Sequence, residues 1–424
     1  MRVVYVHHGQ GIGGGAPVSL VNLILGIKQV AELDMVVLCL DDEMQNYFKE
    51  KANVQVAILP DPLKNLGKVL IWGISPLEWR KMKLFLYDVL HLLKSIWQQW
   101  SLFCKLQPEF IHLNSSILIT SAIAAHLAGI PVVWHVREVL AGNRFSLRRW
   151  FVGWLIRKLA YRVIAISPVE ALRLGTDHNG KVNVVYNSID LSHFVAGMSA
   201  HAEVRRELGL TPTHKIIISL GGMSHWKGTV EIIEAMSFTD VNTHLIFVGP
   251  PSIGDNFTVG WMIRATLWLE DILVRFGIQG FRLIHYAARV RIALATAPRD
   301  RIHFLGIKDN IIPLLSASDV LVFAGTGPHF PRPVFEAWAM KKPVVVFDVL
   351  GIKEHVEDGI DAIVVKEKSG SALGYAVTCL LNDRQQMALL GERGYLKAGV
   401  LFDRIKNSER VFSIYQEMAS ALSA

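Results

Sequence analysis

A carboxylate in the C-terminal third of the chain stands where a ligand could be bound. Glu336 lies in the segment PHFPRPVFEAWAMKKPVVVFDVLGIKEHVEDGID, residues 328–361, whose apolar spacing predicts a helix over Val334–Met340. The run KPVVVF that follows is typical of a buried parallel strand, and GIKEHVEDG predicts a loop and the start of another helix. Glu336 therefore lies just inside a helix N-terminus, at the carboxyl edge of a sheet, where open α/β sheets bind ligands.

A lysine near the middle of the chain occupies a comparable position. The predicted strand Ile216–Leu220 is followed by Gly221 and Gly222, and Lys227 stands at the mouth of the next predicted helix. A lysine beside helix N-terminal amides suits a phosphate group. Taken alone, Lys227 is equally well explained as a solvated surface residue.

The N-terminal βαβ unit carries a glycine loop. Gly9, Gly11 and Gly14 satisfy the pattern G-x-G-x-x-G, which lets a pyrophosphate approach a helix N-terminus. In a dinucleotide enzyme, Asp41 or Asp42 after the second strand would bind the ribose. Glycine also suits a strand-loop-helix joint for steric reasons, so the loop leaves other phosphate ligands open.

A histidine follows a predicted strand in the first half of the chain. His135 comes directly after Val132–Trp134. A histidine leaving a strand at the ligand edge suits hydrogen-bond donation to a substrate hydroxyl or proton transfer, although a lone histidine is often only a polar loop residue. The position favours a functional role.

Two βαβ patterns separated by a weakly patterned stretch predict two domains, since 424 residues exceed what one core usually holds. We expect an α/β protein with two Rossmann-like, doubly wound domains, the first over residues 1–192 and the second over residues 214–404. A linker is predicted over 193–213 and a terminal helix over 405–424. Apolar residues make up 51% of the chain, enough to fill both cores.

The charge and the cysteines limit the class of protein. A net charge of +7 suits anionic partners such as nucleoside diphosphates, acidic lipids or nucleic acid. The three cysteines, Cys39, Cys104 and Cys379, lie far apart and indicate neither a disulfide framework nor a zinc site. The start MRVVYVHH lacks a signal-peptide pattern, so we expect a cytoplasmic protein. The uncharged residues 110–136 are interpreted as a buried strand, helix and strand rather than a membrane span.

Three segments combine aromatic and basic residues, namely 61–107, 144–162 and 252–298. Such faces suggest peripheral docking on the anionic inner face of a membrane. Helices that pack tryptophans on a sheet and solvate their cations explain the first two segments as well. The third is predicted to be an added helical element of the second domain.

The order of these motifs resembles a known family. The glycine loop, the strand-terminal histidine, YNSID, GGMSHWKG, HFLG and FPRPVFEAWAMKKPVVVFDVLGIKEHVEDG look like the retaining, nucleotide-sugar-dependent glycosyltransferases of family 4. The resemblance implies the GT-B fold, in which two Rossmann-like domains face each other across a cleft and the terminal helix, here residues 405–424, crosses back to the first domain. It also implies transfer of a sugar from a nucleoside diphosphate sugar to a polysaccharide or lipid-linked glycan, with no metal, no cofactor and no nucleic-acid partner.

Roles for individual residues follow from this resemblance. It implies that Glu336 binds the donor ribose, that Lys227 holds the diphosphate, and that His135 lies near the reacting sugar; these three are the candidate catalytic residues. Gly14 and Gly15 would approach the donor phosphates or sugar. The other expected donor-binding residues are Gly221, Gly222, Gly306, Ile307, Phe330, Arg332 and Val334.

The sequence also departs from the family pattern. The family's first glutamate falls on Pro328, a loop glycine falls on Pro331, and an arginine usual in the glycine turn falls on Gly222. Proline has no N–H, so amide donors to phosphate are lost, and Arg332 is the expected substitute. These departures leave open a non-catalytic glycosyltransferase-like binding or scaffold subunit, and the glycine loop leaves open a nicotinamide enzyme.

Overall fold

The computed structural model describes residues 1–8, 15–60, 79–138, 140, 146–175, 180–196, 201–250, 286–327 and 330–423. The chain forms two compact units, each built on its own parallel sheet. The first unit contains Met1–Asp190 and Leu401–Ala424, and the second contains Leu191–Val400. The predicted fold class of two Rossmann-like α/β domains is confirmed.

The first unit has a seven-stranded sheet in the order β3-β2-β1-β4-β5-β6-β7. Its strands are β1 (Arg2–Val6), β2 (Asp34–Cys39), β3 (Gln55–Ile58), β4 (Phe110–Leu113), β5 (Val132–Val136), β6 (Arg162–Ala165) and β7 (Val182–Val184). Its helices are α1 (Gly15–Val30), α2 (Asp42–Ala52), α3 (Trp79–Leu90), α4 (Leu92–Leu106), α5 (Ile119–Leu127), α6 (Leu147–Leu159) and α7 (Pro168–Arg173).

The central strands of this sheet are buried and mostly apolar because helices cover both faces. Residues of β1 illustrate the alternation: Val4 and Val6 belong to one buried cluster, whereas Val3 and Tyr5 belong to the cluster on the other face. The uncharged stretch 110–136 forms β4, α5 and β5, as expected. No helix in the described ranges is long and apolar enough to cross a membrane.

The second unit has a six-stranded sheet in the order β10-β9-β8-β11-β12-β13. Its strands are β8 (Lys215–Leu220), β9 (Thr243–Val248), β10 (Ile302–Phe304), β11 (Val320–Phe323), β12 (Val344–Phe347) and β13 (Ile363–Val365). Its helices are α8 (Leu191–Ala196), α9 (His201–Glu207), α10 (Thr229–Ala235), α11 (Tyr286–Thr296), α12 (Ile312–Ala317), α13 (Arg332–Ala339), α14 (Gly370–Asn382) and α15 (Arg384–Leu401).

The last helix, α16 (Arg404–Ser423), packs on α1 in the first unit. The approach is close: a Cβ added at Gly26 of α1 would lie 2.1 Å from Ser408 Oγ of α16. Val411, Ile414 and Tyr415 of α16 are buried in the same apolar cluster as β1. The C-terminal helix is thus an integral layer of the first unit.

Three details differ from the sequence predictions. Residues 193–213 fall within the second unit and include α9, because Arg205 of α9 donates to Asp319 Oδ2 at 3.1 Å beside β11. The GIKEHVEDG segment forms consecutive turns and no helix start. The helix predicted over Val334–Met340 begins earlier, at Arg332, since Pro333 suits a first helical turn.

Candidate functional site

The strand order of the second unit creates a switch point between β8 and β11. The chain leaves β8 toward β9 and leaves β11 toward β12, so a crevice opens at their carboxyl ends. Two loops border it, and they are joined by hydrogen bonds: Thr326 N donates to Trp226 O at 3.1 Å, and Thr326 Oγ1 donates to His225 O at 3.0 Å. This is the preferred ligand position in such sheets.

Glycine is required where these loops approach other backbone. Gly228 has φ +65°, and a Cβ there would lie 2.0 Å from Ala324 O at the end of β11. Gly249 has φ +127°, and its Cβ would lie 2.2 Å from Gly222 N. The amides of Gly221 and Gly222 both donate to Val248 O, at 3.1 and 2.9 Å. The glycine turn therefore packs on the loop after β9, and its two N–H groups are hydrogen-bonded to the end of that strand.

Lys227 ends a short 3-10 helix, His225–Lys227, and its ammonium lies over the glycine turn. A Cβ at Gly221 would be 3.4 Å from Lys227 Nζ, and Nζ is 5.2 Å from the centre of the Phe323 ring. Burial lowers the pKa of Lys227, and the nearby Glu336 carboxylate opposes this effect. Among the described residues, Nζ has no hydrogen-bond acceptor. The site thus contains a cation prepared for an external anion.

Glu336 lies one turn into α13 and is 8% exposed. Arg332 Nε donates to Glu336 Oε1 at 2.6 Å, an ion pair one helical turn apart. The pair places a carboxylate and a guanidinium in the same crevice as Lys227. Arg332 binds one oxygen of Glu336 and so fixes the orientation of the carboxylate.

The N-terminal turn of α13 offers few amides to an anion. Pro331 and Pro333 have no N–H, Arg332 N donates to Phe330 O at 3.0 Å, and Val334 N donates to Pro331 O at 2.9 Å. Residues 331–334 therefore offer no unpaired backbone N–H group to a phosphate. The positive charge available to an anion at this edge therefore comes from the side chains of Lys227 and Arg332.

The remaining predicted donor residues of the second unit lie around this edge. The Phe330 ring packs edge-on against Phe335, with centroids 4.9 Å apart. Val334 is fully buried, so neither its side chain nor its backbone is exposed at this edge. Gly306 O accepts from Gly249 N at 2.7 Å, which brings the exposed Ile307 to the carboxyl end of β9 and β10.

The first unit has its own switch point, between β1 and β4. His7 follows β1 and Asn114 follows β4; Asn114 Nδ2 donates to His7 Nδ1 at 3.2 Å. Arg137 Nε donates to Asn114 Oδ1 at 2.6 Å, and Arg137 also donates to Asn187 Oδ1. Burial, with help from His8 and Arg137, lowers the pKa of His7. This polar cluster fills the edge where ligands bind in open sheets.

His135 belongs to the same edge but differs from its sequence prediction. It is a member of β5, in register with Ile164 of β6, and is 3% exposed rather than leaving the strand. Its Nδ1 lies 3.2 Å from His112 Nε2, while Nε2 is buried without a partner among the described residues. Burial and the nearby Arg137 lower the pKa of His135, so the ring is neutral.

Sequence reasoning missed several polar residues at this edge. Glu138 accepts hydrogen bonds from Ser115 Oγ at 2.6 Å and from Ser116 Oγ at 2.7 Å, which joins the loops after β4 and β5. The usable signal was the placement of His7, His8 and the run Asn114-Ser115-Ser116 directly after buried strands.

Some predicted features lie outside the described residues. These are the glycine loop through Gly14, residues 61–78 and 144–145 of the first two aromatic and basic segments, residues 252–285 of the third segment, and the position of Pro328. Gly15 is described as the exposed first residue of α1. Within the ranges the structure covers, no group of three or more histidine, cysteine or acidic side chains could hold a metal.

Comparison with known proteins gives matches over both units. The model for glycosyl transferases group 1 matches residues 201–397, and the model for Glycosyltransferase Family 4 matches residues 13–193. The alpha-maltose-1-phosphate synthase of Mycobacterium tuberculosis is 25% identical over 331 residues, covering 71% of this chain and 77% of that one.

A shorter match links the chain to an enzyme with a lipid-linked substrate in its name. The N,N'-diacetylbacillosaminyl-diphospho-undecaprenol alpha-1,3-N-acetylgalactosaminyltransferase of Campylobacter jejuni is 27% identical over 117 residues, which is 28% of this chain and 31% of that one. The chain spans about half the length of several other curated relatives that it matches.

Solved structures share the fold over nearly the whole chain. The crystal structure of Anabaena HepE with UDP and glucose has a TM-score of 0.69 and 20% identity, and the match covers 98% of this chain and 99% of that one. With one family model on each unit and a GT-B glycosyltransferase fold throughout, the chain belongs to the family 4 type of GT-B glycosyltransferases.

Proposed function

We propose that the protein transfers a sugar from a nucleoside diphosphate sugar, which it binds at the β8/β11 edge of the second unit. The observation that carries this proposal is Lys227, a partly buried ammonium that lacks an acceptor in the described chain and lies beside the Arg332–Glu336 pair. The cation would bind the diphosphate, and Glu336 would accept hydrogen bonds from the ribose hydroxyls.

The same residues would assist departure of the diphosphate. Negative charge grows on the phosphate oxygens as the bond to the sugar carbon breaks, and a fixed cation stabilises that charge. Lys227 and Arg332 can supply this compensation without a metal ion. We propose retention of the anomeric configuration: the acceptor hydroxyl attacks from the face that the diphosphate leaves, the bond from the sugar carbon to phosphate breaks, and the hydroxyl proton passes to the departing phosphate oxygen.

A ligand panel tests the donor. A ligand that binds only the folded state raises the Tm of the protein. Among UDP, GDP, ADP and their sugars, the preferred donor and its nucleotide should therefore raise Tm the most. Transfer is then followed with the stabilising sugar nucleotide, with product configuration read by NMR and the reaction repeated in excess EDTA. Absence of stabilisation by every nucleotide would refute the proposal, and loss of activity in EDTA would refute the metal-independent part.

We propose a lipid-linked glycan as acceptor, bound by a protein that is cytoplasmic and peripheral on the inner face of a membrane. Helices α3, α4 and α6 of the first unit expose large apolar side chains beside cations. The exposed apolar residues include Leu86, Tyr87, Leu90, Leu93, Trp97, Leu147, Trp150, Phe151 and Trp154. Apolar and basic side chains sharing helices suit the interface of an anionic bilayer.

Sedimentation with vesicles tests this surface. Replacing Trp150 and Trp154, which are 65% and 43% exposed, by glutamine should lower binding to anionic vesicles by several-fold. Trp226, which is 54% exposed in the second unit, provides the matched control, and Trp226→Gln should leave vesicle binding unchanged. Equal sedimentation of the wild type with and without vesicles would refute membrane contact and leave a soluble polysaccharide as acceptor.

A second candidate is a non-catalytic binding subunit. The observation that favours it is the lack of free amides at residues 331–334, where Pro331 and Pro333 remove two N–H donors. Stabilisation by a nucleotide sugar, with neither transfer nor hydrolysis across a range of acceptors, would support this function over the first.

A further inference from the structure

A cleft of about 330 Å³ lies at the amino ends of β11 and β12, within the second unit. Residues that lead into these two strands line the cleft, together with Arg205 of α9. Lys227 and Glu336 lie at the opposite edge of the sheet, and the four residues of β11 separate the two edges by about 13 Å. The cleft is therefore separate from the proposed nucleotide site, and its volume suits a small ligand.

An ion pair forms one side of the cleft. Arg205 Nη2 donates to Asp319 Oδ2 at 3.1 Å, and Ile216 N of β8 donates to the same oxygen at 2.7 Å. Both hydrogen bonds of the carboxylate are thus made by Oδ2. Within the described ranges, Asp319 Oδ1 accepts no hydrogen bond, so one oxygen of this carboxylate is available to a ligand.

A lysine forms the other side. Lys342 Nζ donates to the carbonyl oxygens of Ser316 and Ser318, at 2.9 and 2.7 Å, where α12 ends. An ammonium has three hydrogens, so one donor of Lys342 is left for a ligand. Burial lowers the pKa of Lys342, the Asp319 carboxylate opposes this effect, and Arg205 adds to it. The three charged groups therefore lie close together around the cleft.

The balance of charge favours a neutral ligand over an anion. The carbonyl oxygens at the end of α12 place partial negative charge against Lys342, and Asp319 offsets the charge of Arg205. A phosphate in the cleft would also lie beside the Asp319 carboxylate, which repels it. Lys227 differs, because its ammonium has no acceptor in the part of the chain that the structure describes.

A sugar matches the groups that remain. Each sugar hydroxyl both donates and accepts hydrogen bonds, so two neighbouring hydroxyls can use the donor of Lys342 and the acceptor of Asp319 together. Met340, which is 3% exposed, adds an apolar surface to the lining, and its flexible thioether suits the C–H face of a sugar ring. The hydrogen bonds to backbone groups hold both charged side chains in place before a ligand arrives.

We propose that this cleft binds a neutral sugar residue of a glycan, with Lys342 donating to one hydroxyl and Asp319 Oδ1 accepting from its neighbour. The binding is independent of the nucleotide site. A role in holding the acceptor or product glycan on the second unit rests on the glycosyl transfer proposed above.

Hydrogen–deuterium exchange of the full-length wild type locates the site without a substitution. The probes are glucose, galactose, mannose and N-acetylglucosamine, with maltose, lactose, mannobiose and chitobiose as their disaccharides. At least one probe should slow exchange several-fold in residues 315–320 and 339–344, whereas inorganic phosphate should not. Absence of protection by every saccharide, or protection by phosphate alone, would overturn the proposal.

The disaccharides identify the source of the sugar. A disaccharide that binds more tightly than its monosaccharide would support a glycan chain as the ligand, and preference for the free monosaccharide would overturn that part of the proposal. UDP serves as a separate probe, because it should protect residues 221–228 instead. Protection by a saccharide without protection by UDP would refute the proposed nucleotide site and leave the sugar cleft supported.

Two variants test the assigned contacts. Lys342→Met should raise the Kd of the protecting saccharide by roughly tenfold or more, the effect of losing a hydrogen bond from a charged group, while the Kd for UDP stays unchanged. Lys341→Met makes the same change in net charge at the adjacent residue, whose Nζ is 2.7 Å from Glu392 Oε2, and should leave the saccharide Kd within about twofold. Equal effects of the two substitutions would overturn the role of Lys342.

Asp319→Asn provides a second variant if Lys342→Met does not fold. Asparagine keeps an oxygen for Ile216 N and places an NH₂ group where Oδ1 stands, so it removes the acceptor offered to the sugar. We expect a similar loss of saccharide affinity. Unchanged affinity in a folded Asp319→Asn protein would overturn the proposed contact.

Discussion

Replacement of Lys227 by methionine should separate ligand binding from folding. Methionine is likewise unbranched, is one atom shorter and carries no charge. A hydrogen bond to a charged group contributes about 1.5–3 kcal/mol, so we expect the Kd for the preferred nucleoside diphosphate to rise by roughly 10- to 150-fold. The Kd of the matching nucleoside, which has no phosphate, should change by less than about twofold.

The ligand-free protein should respond in the opposite direction. Lys227 Nζ has no acceptor among the described residues, and burial lowers its pKa, so the charged form is held at a cost. We therefore expect an unchanged or raised Tm for Lys227→Met. Gain of stability together with loss of affinity is typical of a binding group that is poorly satisfied in the free protein.

The pH dependence has a defined sign. Above its lowered pKa, Lys227 is neutral in the folded chain while an unfolded chain still binds the proton up to the ordinary value of 10.5. Its contribution to the free energy of unfolding therefore rises with pH in that interval and is absent from Lys227→Met. Diphosphate affinity should fall over the same interval in the wild type.

Isothermal titration with both ligands provides the assay, with Lys353→Met as the control. Lys353 is a 61% exposed lysine of the same unit, and its Nζ is 2.9 Å from Asp348 Oδ1. The control makes the same change in net charge and should leave both Kd values within about twofold. Equal losses for nucleoside and diphosphate, or equal effects of the two substitutions, would refute direct binding of phosphate by Lys227.

Two further predictions concern the same edge. Glu336→Gln should weaken binding of nucleosides as well as of nucleoside diphosphates. It should also lower Tm, because it removes the carboxylate that pairs with Arg332. An unchanged nucleoside affinity in calorimetry would contradict binding of the ribose by Glu336. Gly228→Ala should destabilise more than Gly209→Ala in urea unfolding, since both have φ near +65° but only the first places a Cβ against Ala324 O.

The sequence predicted the fold class because parallel strands that are covered by helices on both faces have short, nearly continuous runs of apolar residues. VVYV, KIIISL and KPVVVF are almost uninterrupted, and each is followed by glycine or polar residues. Lys227 and Glu336 could also be chosen as candidate ligand-binding residues from the sequence, since each stands at a recognisable strand-loop-helix joint. The prolines around Arg332 were equally visible, and their lack of N–H follows from covalent structure alone.

Other features required the folded chain. Glu336 pairs with Arg332 inside its own helix, but its proximity to Lys227 depends on β8 and β11 being neighbours. From the sequence, the backbone N–H groups of Arg332 and Val334 could have donated to a ligand. In the structure they donate to backbone carbonyls instead. The sequence also suggested a helix start in GIKEHVEDG that tertiary packing replaces with turns.

The sequence by itself thus predicted the two sheets and the family, and it placed Lys227 and Glu336 at strand-loop-helix joints, because these features depend on local composition and short spacing. The tertiary structure decided which of those residues meet. His135 was expected at the end of a strand, but pairing with β6 keeps it inside β5, beside His112 and within reach of a helix almost three hundred residues later. Contacts between distant segments arise from strand order and packing, and local spacing does not encode them.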